Sequence, residues 1–208
     1  MNVIKQSYKI LTDISMYGAY ELMDIERVAR ICYRSEDKIV DQAVSAKKLI
    51  TKLIESGHEA MLEHGSLSVE FTCDRAIANE IVRHRLASFA QESTRYCNYG
   101  KDKFGNEISV INPGLEEGSF EWNIWYSLCK TCEMAYMEML NKGVTPEIAR
   151  AVLPLSLATK IVVTANYREW RHILKLRTDS HAHPQIRELM TPLLDELKER
   201  IPIIFDDI

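Results

Sequence analysis

No run of apolar residues is long enough to cross a bilayer, for which about 18 or more are needed; even Ile161-Val162-Val163 is bracketed by Lys160 and Thr164. The stretch from Met1 to Ser15 lacks the unbroken hydrophobic segment of a signal peptide, because Lys5, Lys9 and Asp13 interrupt it, so a cytoplasmic location is expected. Surplus positive charge is missing too. The 26 Lys and Arg against 30 Asp and Glu leave a net charge of −4, which excludes a nucleic-acid binder working by bulk charge. Five cysteines, an odd number at irregular spacing, fit reduced thiols better than a disulfide framework. Only eight glycines occur, in neither a P-loop nor a G-x-G-x-x-G, so any nucleotide must be held by side chains. Repeats and Gly/Ser- or Pro-rich linkers are absent, and the 208 residues, 46% of them hydrophobic, are read as one domain.

The periodicities that are present describe a mixed chain. Val3, Tyr8 and Ile10 suggest strand; Tyr20 to Tyr33 carries apolar residues at helical spacing, and a second helix is expected from about Ile39 to Ser56, closed by Gly57. Ser66 to Thr72 alternates as a half-buried strand does, with Leu67, Val69 and Phe71 on one side. Asp74 can cap a helix through Arg83, after which the chain is polar and irregular to Tyr99. A loop and short strand follow over Lys101 to Pro113, then a helix from Trp122 to Asn141. Thr145-Pro146-Glu147 starts a short helix that Pro154 limits; Lys160 to Asn166 reads as strand, and Arg168 to Arg177 and Pro184 to Arg200 as helices. With no regular strand–helix alternation, the fold class is α+β, a central and mostly antiparallel sheet flanked by helices.

Two clusters carry chemistry. Arg83-His84-Arg85 with Ser88, Gln91, Glu92, Ser93 and Arg95 gathers donors at the end of an apolar helix. Converging arginines suit a multiply anionic ligand, whereas a solvated helix end answering the C-terminal dipole accounts for the same pattern. The second cluster is Asn166-Tyr167-Arg168, Arg171-His172, Arg177 and Asp179 to His183; Arg168, His172 and, less closely, Arg177 can share a helix side, and a basic solvent face is the alternative. His58-Glu59 and Glu63-His64 lack the spacing of a zinc helix, so no metal is expected. Cys129 and Cys132 read as core thiols; Cys97, beside Arg95, has no base that the sequence identifies.

Arg83-His84-Arg85, seven residues, then Ser93 resembles the RHR-x7-S signature of the flavin-dependent thymidylate synthases. His58-Glu59 with His64 upstream, Arg150 to Leu155 (R-x-x-L-P), and Asn166-Tyr167-Arg168 through Arg177 to Ala182 are similar to further family segments, in the family's order. The resemblance implies methylation of dUMP to dTMP by a transferase that oxidises NADPH, with carbon from methylenetetrahydrofolate, hydride from FAD, and no enzyme nucleophile. It assigns His58, Arg83, His84, Arg85, Gln91, Asn166, Arg168, His172 and His181 to FAD. Glu80, Arg83, Gln91, Glu92, Ser93, Thr94, Arg95, Arg150 and Arg177 go to dUMP, with Ser93 and Arg95 at its phosphate and Arg177 as the catalytic residue. It also implies a homotetramer with shared active sites. Ala60, Glu80, Gln91 and His172 depart from the family pattern. The rivals are a uridylate-modifying flavoenzyme with a hydroxymethylated product and a non-catalytic FAD/dUMP-binding module.

Overall fold

The computed structural model describes residues 1–40 and 43–208. Its strands are β1 (Asn2–Ile4), β2 (Ser7–Ile10), β3 (Ser66–Asp74), β4 (Ala87–Gln91), β5 (Ser109–Ile111) and β6 (Ala158–Asn166). Its helices are α1 (Ala19–Ile31), α2 (Val44–Glu55), α3 (Arg75–Ile81), α4 (Phe120–Asn141), α5 (Pro146–Ala149), α6 (Tyr167–Thr178) and α7 (Pro184–Arg200). An antiparallel sheet has the order β2-β3-β6-β4. A separate parallel pair sets Asn2, Val3 and Ile4 of β1 opposite Ser109, Val110 and Ile111 of β5. The α+β class expected from the sequence is the one observed.

The described residues form two compact units, one of Met1–Ser7, Glu70–Arg83 and Phe89–Val162, the other of Tyr8–Val69, His84–Ser88 and Val163–Ile208. β3, β4 and β6 each run from one into the other. In the first unit, Tyr99, Ile108, Val110, Cys129, Tyr136, Ala149 and Leu157 form the core, into which α4 delivers Cys129 and Tyr136. Burial pushes the Cys129 thiol up to about 11, so it packs as a small apolar group and not as a thiolate. Asp74 caps α3 as expected, its carboxylate accepting the Ile77 amide at 2.8 Å.

In the second unit, α6 buries Trp170, Ile173 and Leu174 while α7 buries Ile186, Leu189, Met190, Leu193 and Leu197. The Trp170 indole satisfies its N–H on the Leu67 carbonyl at 2.9 Å, which fixes α6 against the start of β3. Gly65 accepts the Tyr167 amide at 3.1 Å, and a Cβ there would lie 2.2 Å from the Tyr167 ring. Arg171, buried in α6, clamps the C-terminal residues: it donates to the Ile204 carbonyl, to both Asp207 oxygens (2.6 and 2.8 Å) and to Glu59 Oε1 (3.1 Å).

Several element ends differ from expectation by one or two residues, and three differences bear on the fold. α2 begins at Val44 because Ala43 is left-handed (φ 58) and Ile39 is extended; of the expected span, positions 41 and 42 lie outside the described residues. α3 stops at Ile81, two residues short of Arg83. β4 falls where an irregular segment was expected, since Ala-Ser-Phe-Ala-Gln holds one large apolar residue and alternates too weakly to signal a strand. Thr145 precedes α5 as anticipated but makes no side-chain capping bond.

Replacing Gly65 by alanine drives a methyl into the Tyr167 ring and is expected to cost about 1–3 kcal/mol in chemical denaturation. Arg171→Met should cost about 2 kcal/mol, less than a fully buried pair because Asp207 keeps half of its side chain in water. Arg171 holds the Asp207 carboxyl below its ordinary value of 3.8. The stability it contributes is therefore complete at neutral pH and is lost as the pH falls through the lowered value. The gap between wild-type and Arg171→Met melting temperatures should begin to narrow below about pH 4 and shrink further as the pH falls through the lowered Asp207 value.

Candidate active site

Asn166 opens α6 by accepting the Glu169 amide at 2.8 Å, and the helix then carries Arg168, Glu169, His172 and Lys175 along a cavity of about 630 Å³. Asn166, Glu59, Glu63 and Asp207 also line it. Arg168 pairs with Glu63 at 2.5 Å. A second cavity of about 410 Å³ is lined by Ala29 and Arg30 of α1, Leu49 and Leu53 of α2, Cys32, Tyr33 and Ser35 after α1, and His58, Ala60 and Met61. Glu59 and Arg168 border both cavities.

The last turn of α6 presents Arg177, whose Nε–H donates to Nε2 of His84 at 3.0 Å. His84 is buried, stands edge-on to the His172 ring (centroids 5.9 Å apart, 77°), and has Nδ1 3.8 Å from Glu169 Oε1. Burial, then the charge of Arg177, then His172 lower its pKa to about 4. A guanidinium only donates, so Nε2 must carry a lone pair, and the neutral ring has its proton on Nδ1. Thus His84, counted among a group of donors in the sequence, accepts at Nε2. Arg83 and Arg85 on either side of it are exposed.

The first unit holds the other group. After β4, Ser93 turns the chain: its carbonyl accepts the Tyr96 and Cys97 amides (3.1 and 2.8 Å) and its Oγ accepts the Arg95 amide (3.3 Å). Arg150 donates to Thr94 Oγ1 at 3.4 Å, and Gln91 to Thr159 Oγ1 at 3.4 Å. Arg95 pairs with Glu147 at 3.2 Å and lies over the Tyr96 ring. Glu80 is half-buried on α3. Thr94 and Arg150 line a cavity of about 190 Å³ whose other walls are Arg75, Asn79, Pro154 and leucines, with no carboxylate. Arg75 also donates to the Glu92 carbonyl at 2.8 Å. Burial, then Glu92, raise the Cys97 thiol and so disfavour its thiolate.

Of the residues singled out in the sequence, Asn166, Arg168 and His172 share one cavity, His58 and Arg168 the other, and Arg177 meets His84 directly. His181 lines neither cavity; it is exposed, bound by its own loop residue Asp179 at 2.7 Å. Arg171, grouped with the basic cluster, is neutralised by Asp207 and Glu59. Glu169 and Arg75 were not picked out. An acid in the first turn of a helix is so common that Glu169 gave no signal, whereas Arg75 opposes the dipole of α3 and on that ground stands out.

The described residues hold one trio whose ligand atoms all lie within 4.8 Å, His84, Glu169 and His172. A cation on Nδ1 of His84 would force that ring's proton onto Nε2, against the Arg177 N–H, and would sit beside a fixed guanidinium. The trio is therefore poorly suited to a metal.

Comparison with known proteins places this geometry. A flavin-dependent thymidylate synthase of Corynebacterium efficiens is 32% identical over 206 residues, covering 94% of this chain and 82% of its own. One of Pyrococcus furiosus is 31% identical over 188 residues, covering 90% and 71%. The fold matches a UMP/dUMP methylase, PolB, from Streptomyces cacaoi, solved with 5-Br dUMP, at a TM-score of 0.81 and 21% identity over 99% of this chain and 96% of that one. The family model described as thymidylate synthase complementing protein matches residues 19–203. With the RHR segment and the α6 cluster inside that span, the chain belongs to the flavin-dependent thymidylate synthases.

Proposed function

We propose that the chain methylates dUMP to dTMP, using carbon from methylenetetrahydrofolate and FAD that NADPH reduces. The observation that carries this reading is the guanidinium of Arg177 anchored through Nε by a neutral His84. Anchoring at Nε restricts the plane of the fork, which suits a planar acceptor such as the N3/O4 edge of uracil. Set against that edge, Arg177 stabilises negative charge on N3 and O4 and pushes electron density to C5, the carbon that attacks the one-carbon unit.

The residues present fit a flavin dinucleotide. Two cavities that share Glu59 and Arg168, one polar and one largely apolar, suit a ligand with a polyhydroxylated middle and two aromatic ends, its anionic groups falling to Arg168 and Lys175. When bound, reduced FAD supplies a hydride. Asn166, Arg168 and His172 would hold it from α6, His84 from behind and His58 from the apolar cavity; Arg83, Arg85, Gln91 and His181 join this set by resemblance. For dUMP, the cavity walled by Thr94 and Arg150 without a carboxylate suits the phosphate, with Ser93 and Arg95 beside it in sequence. Glu80, Arg83, Gln91 and Glu92 complete the proposed nucleotide set. Catalysis without an enzyme nucleophile is consistent with Ser93, whose Oγ accepts a backbone amide, and with Cys97, whose thiolate is disfavoured.

A homotetramer in the cytoplasm completes the proposal. In its support, α4 exposes Phe120, Ile124, Leu128 and Met134, more apolar surface on one helix than scattered exposure explains. Among the described residues no helix is long and apolar enough to cross a membrane.

Arg177→Ala should lower turnover on the order of 10²–10³-fold while flavin still binds; unchanged turnover would show that Arg177 is not catalytic. Incubation with dUMP, methylenetetrahydrofolate, FAD and NADPH should yield a nucleotide heavier by one CH2, only when flavin is present. A further oxygen in the product would favour hydroxymethylation, and unchanged dUMP beside bound flavin would favour a binding module. Light scattering should return about four times the 24.0 kDa chain mass, and a flavin-loaded monomer would refute the tetramer.

A further inference from the structure

We propose that Glu169 is a positioning residue which, through His84, holds the guanidinium of Arg177 in the orientation turnover requires. The inference rests on the catalytic reading of Arg177 and extends it to a side chain with no role assigned so far. The imidazole of His84 accepts at Nε2 from Arg177 Nε at 3.0 Å, while its Nδ1 faces Glu169 Oε1 at 3.8 Å. The two neighbours favour the same tautomer. Arg177 needs a lone pair at Nε2, and a carboxylate facing Nδ1 favours the proton there. Were the proton to move to Nε2, it would point at the Arg177 N–H and this contact would be lost.

The separation of 3.8 Å exceeds a hydrogen bond, as contacts of this kind commonly do before ligands bind and draw the site together. Local structure keeps Glu169 in place. Asn166 accepts its amide at 2.8 Å and fixes it in the first turn of α6. His172, one turn further on, sets its ring edge-on to that of His84 at 5.9 Å and restricts rotation about the side chain. Glu169 itself opens onto the cavity of about 630 Å³, so it is oriented toward the site and not lost in the core.

The test compares Glu169→Gln, Glu169→Ala and Glu169→Leu in the flavin-loaded enzyme, together with the His84 tautomer in long-range nitrogen NMR of 15N-histidine-labelled protein. Gln keeps an oxygen that accepts from Nδ1–H and should retain most activity. Ala and Leu should lower kcat on the order of 10–100-fold, with the KM for dUMP and the flavin content held within about twofold, the pattern of a lost transition-state contribution. The wild-type Nδ1–H signature of His84 should become a mixture in Glu169→Ala and persist in Glu169→Gln. An unchanged tautomer in Glu169→Ala, wild-type kcat in Ala and Leu, or a kcat loss that tracks loss of flavin would each overturn the positioning role. Wild-type turnover by Arg177→Ala, in contrast, would sink the reading of Arg177 and leave the tautomer result to stand on its own.

Discussion

Arg177 donating to Nε2 of His84 is the contact on which the chemistry of the second unit depends, because a guanidinium never accepts and so dictates the charge and tautomer of the ring it meets. A protonated His84 would be a buried charge with a second cation 3.0 Å away, and burial first, then Arg177, lower its pKa accordingly. Around this contact the rest takes its position: His172 braces the ring, Glu169 faces its far nitrogen, and Asn166 fixes the turn that carries Glu169.

The arrangement of the other cations resolves how a chain of net charge −4 can receive several anions. Arg168, Arg171 and Arg95 are each compensated, by Glu63, by Asp207 with Glu59, and by Glu147. These pairs tie chain segments together, so Arg168 and Arg95 reach an anion only by exchanging an exposed carboxylate for it. The cavity with Arg75 and Arg150 has no acid in its wall. Positive potential is thus a local property of this chain, set by where carboxylates are absent more than by where arginines are many.

Much of this was legible in the residues themselves. α7 begins at Pro184 and ends at Arg200 as its pattern foretells, Asp74 caps α3, and the alternation of Leu67, Val69 and Phe71 is the buried face of β3. What escaped was non-local. Arg171 looked like one more member of a basic face, yet its partners Asp207 and Glu59 lie 36 and 112 residues away in sequence. The role of His84 was inverted for the same reason: spacing brings Arg83-His84-Arg85 to notice, but only Arg177, 93 residues on, decides which nitrogen has the proton. β4 was hidden because its stability comes from its neighbour in the sheet and not from its own apolar content.

The threading of β3, β4 and β6 through both units bears on how the chain is made. The first unit needs residues up to Val162 and the second up to Ile208, while each also needs segments from the first third of the chain. Neither can close as its N-terminal part leaves the ribosome, since the partner strand β6 is synthesised about 90 residues after β3. Folding must therefore proceed through contacts distant in sequence, the regime of slow folding, in which β3 meets the earlier β2 first while β1 waits for β5 and β3 for β6.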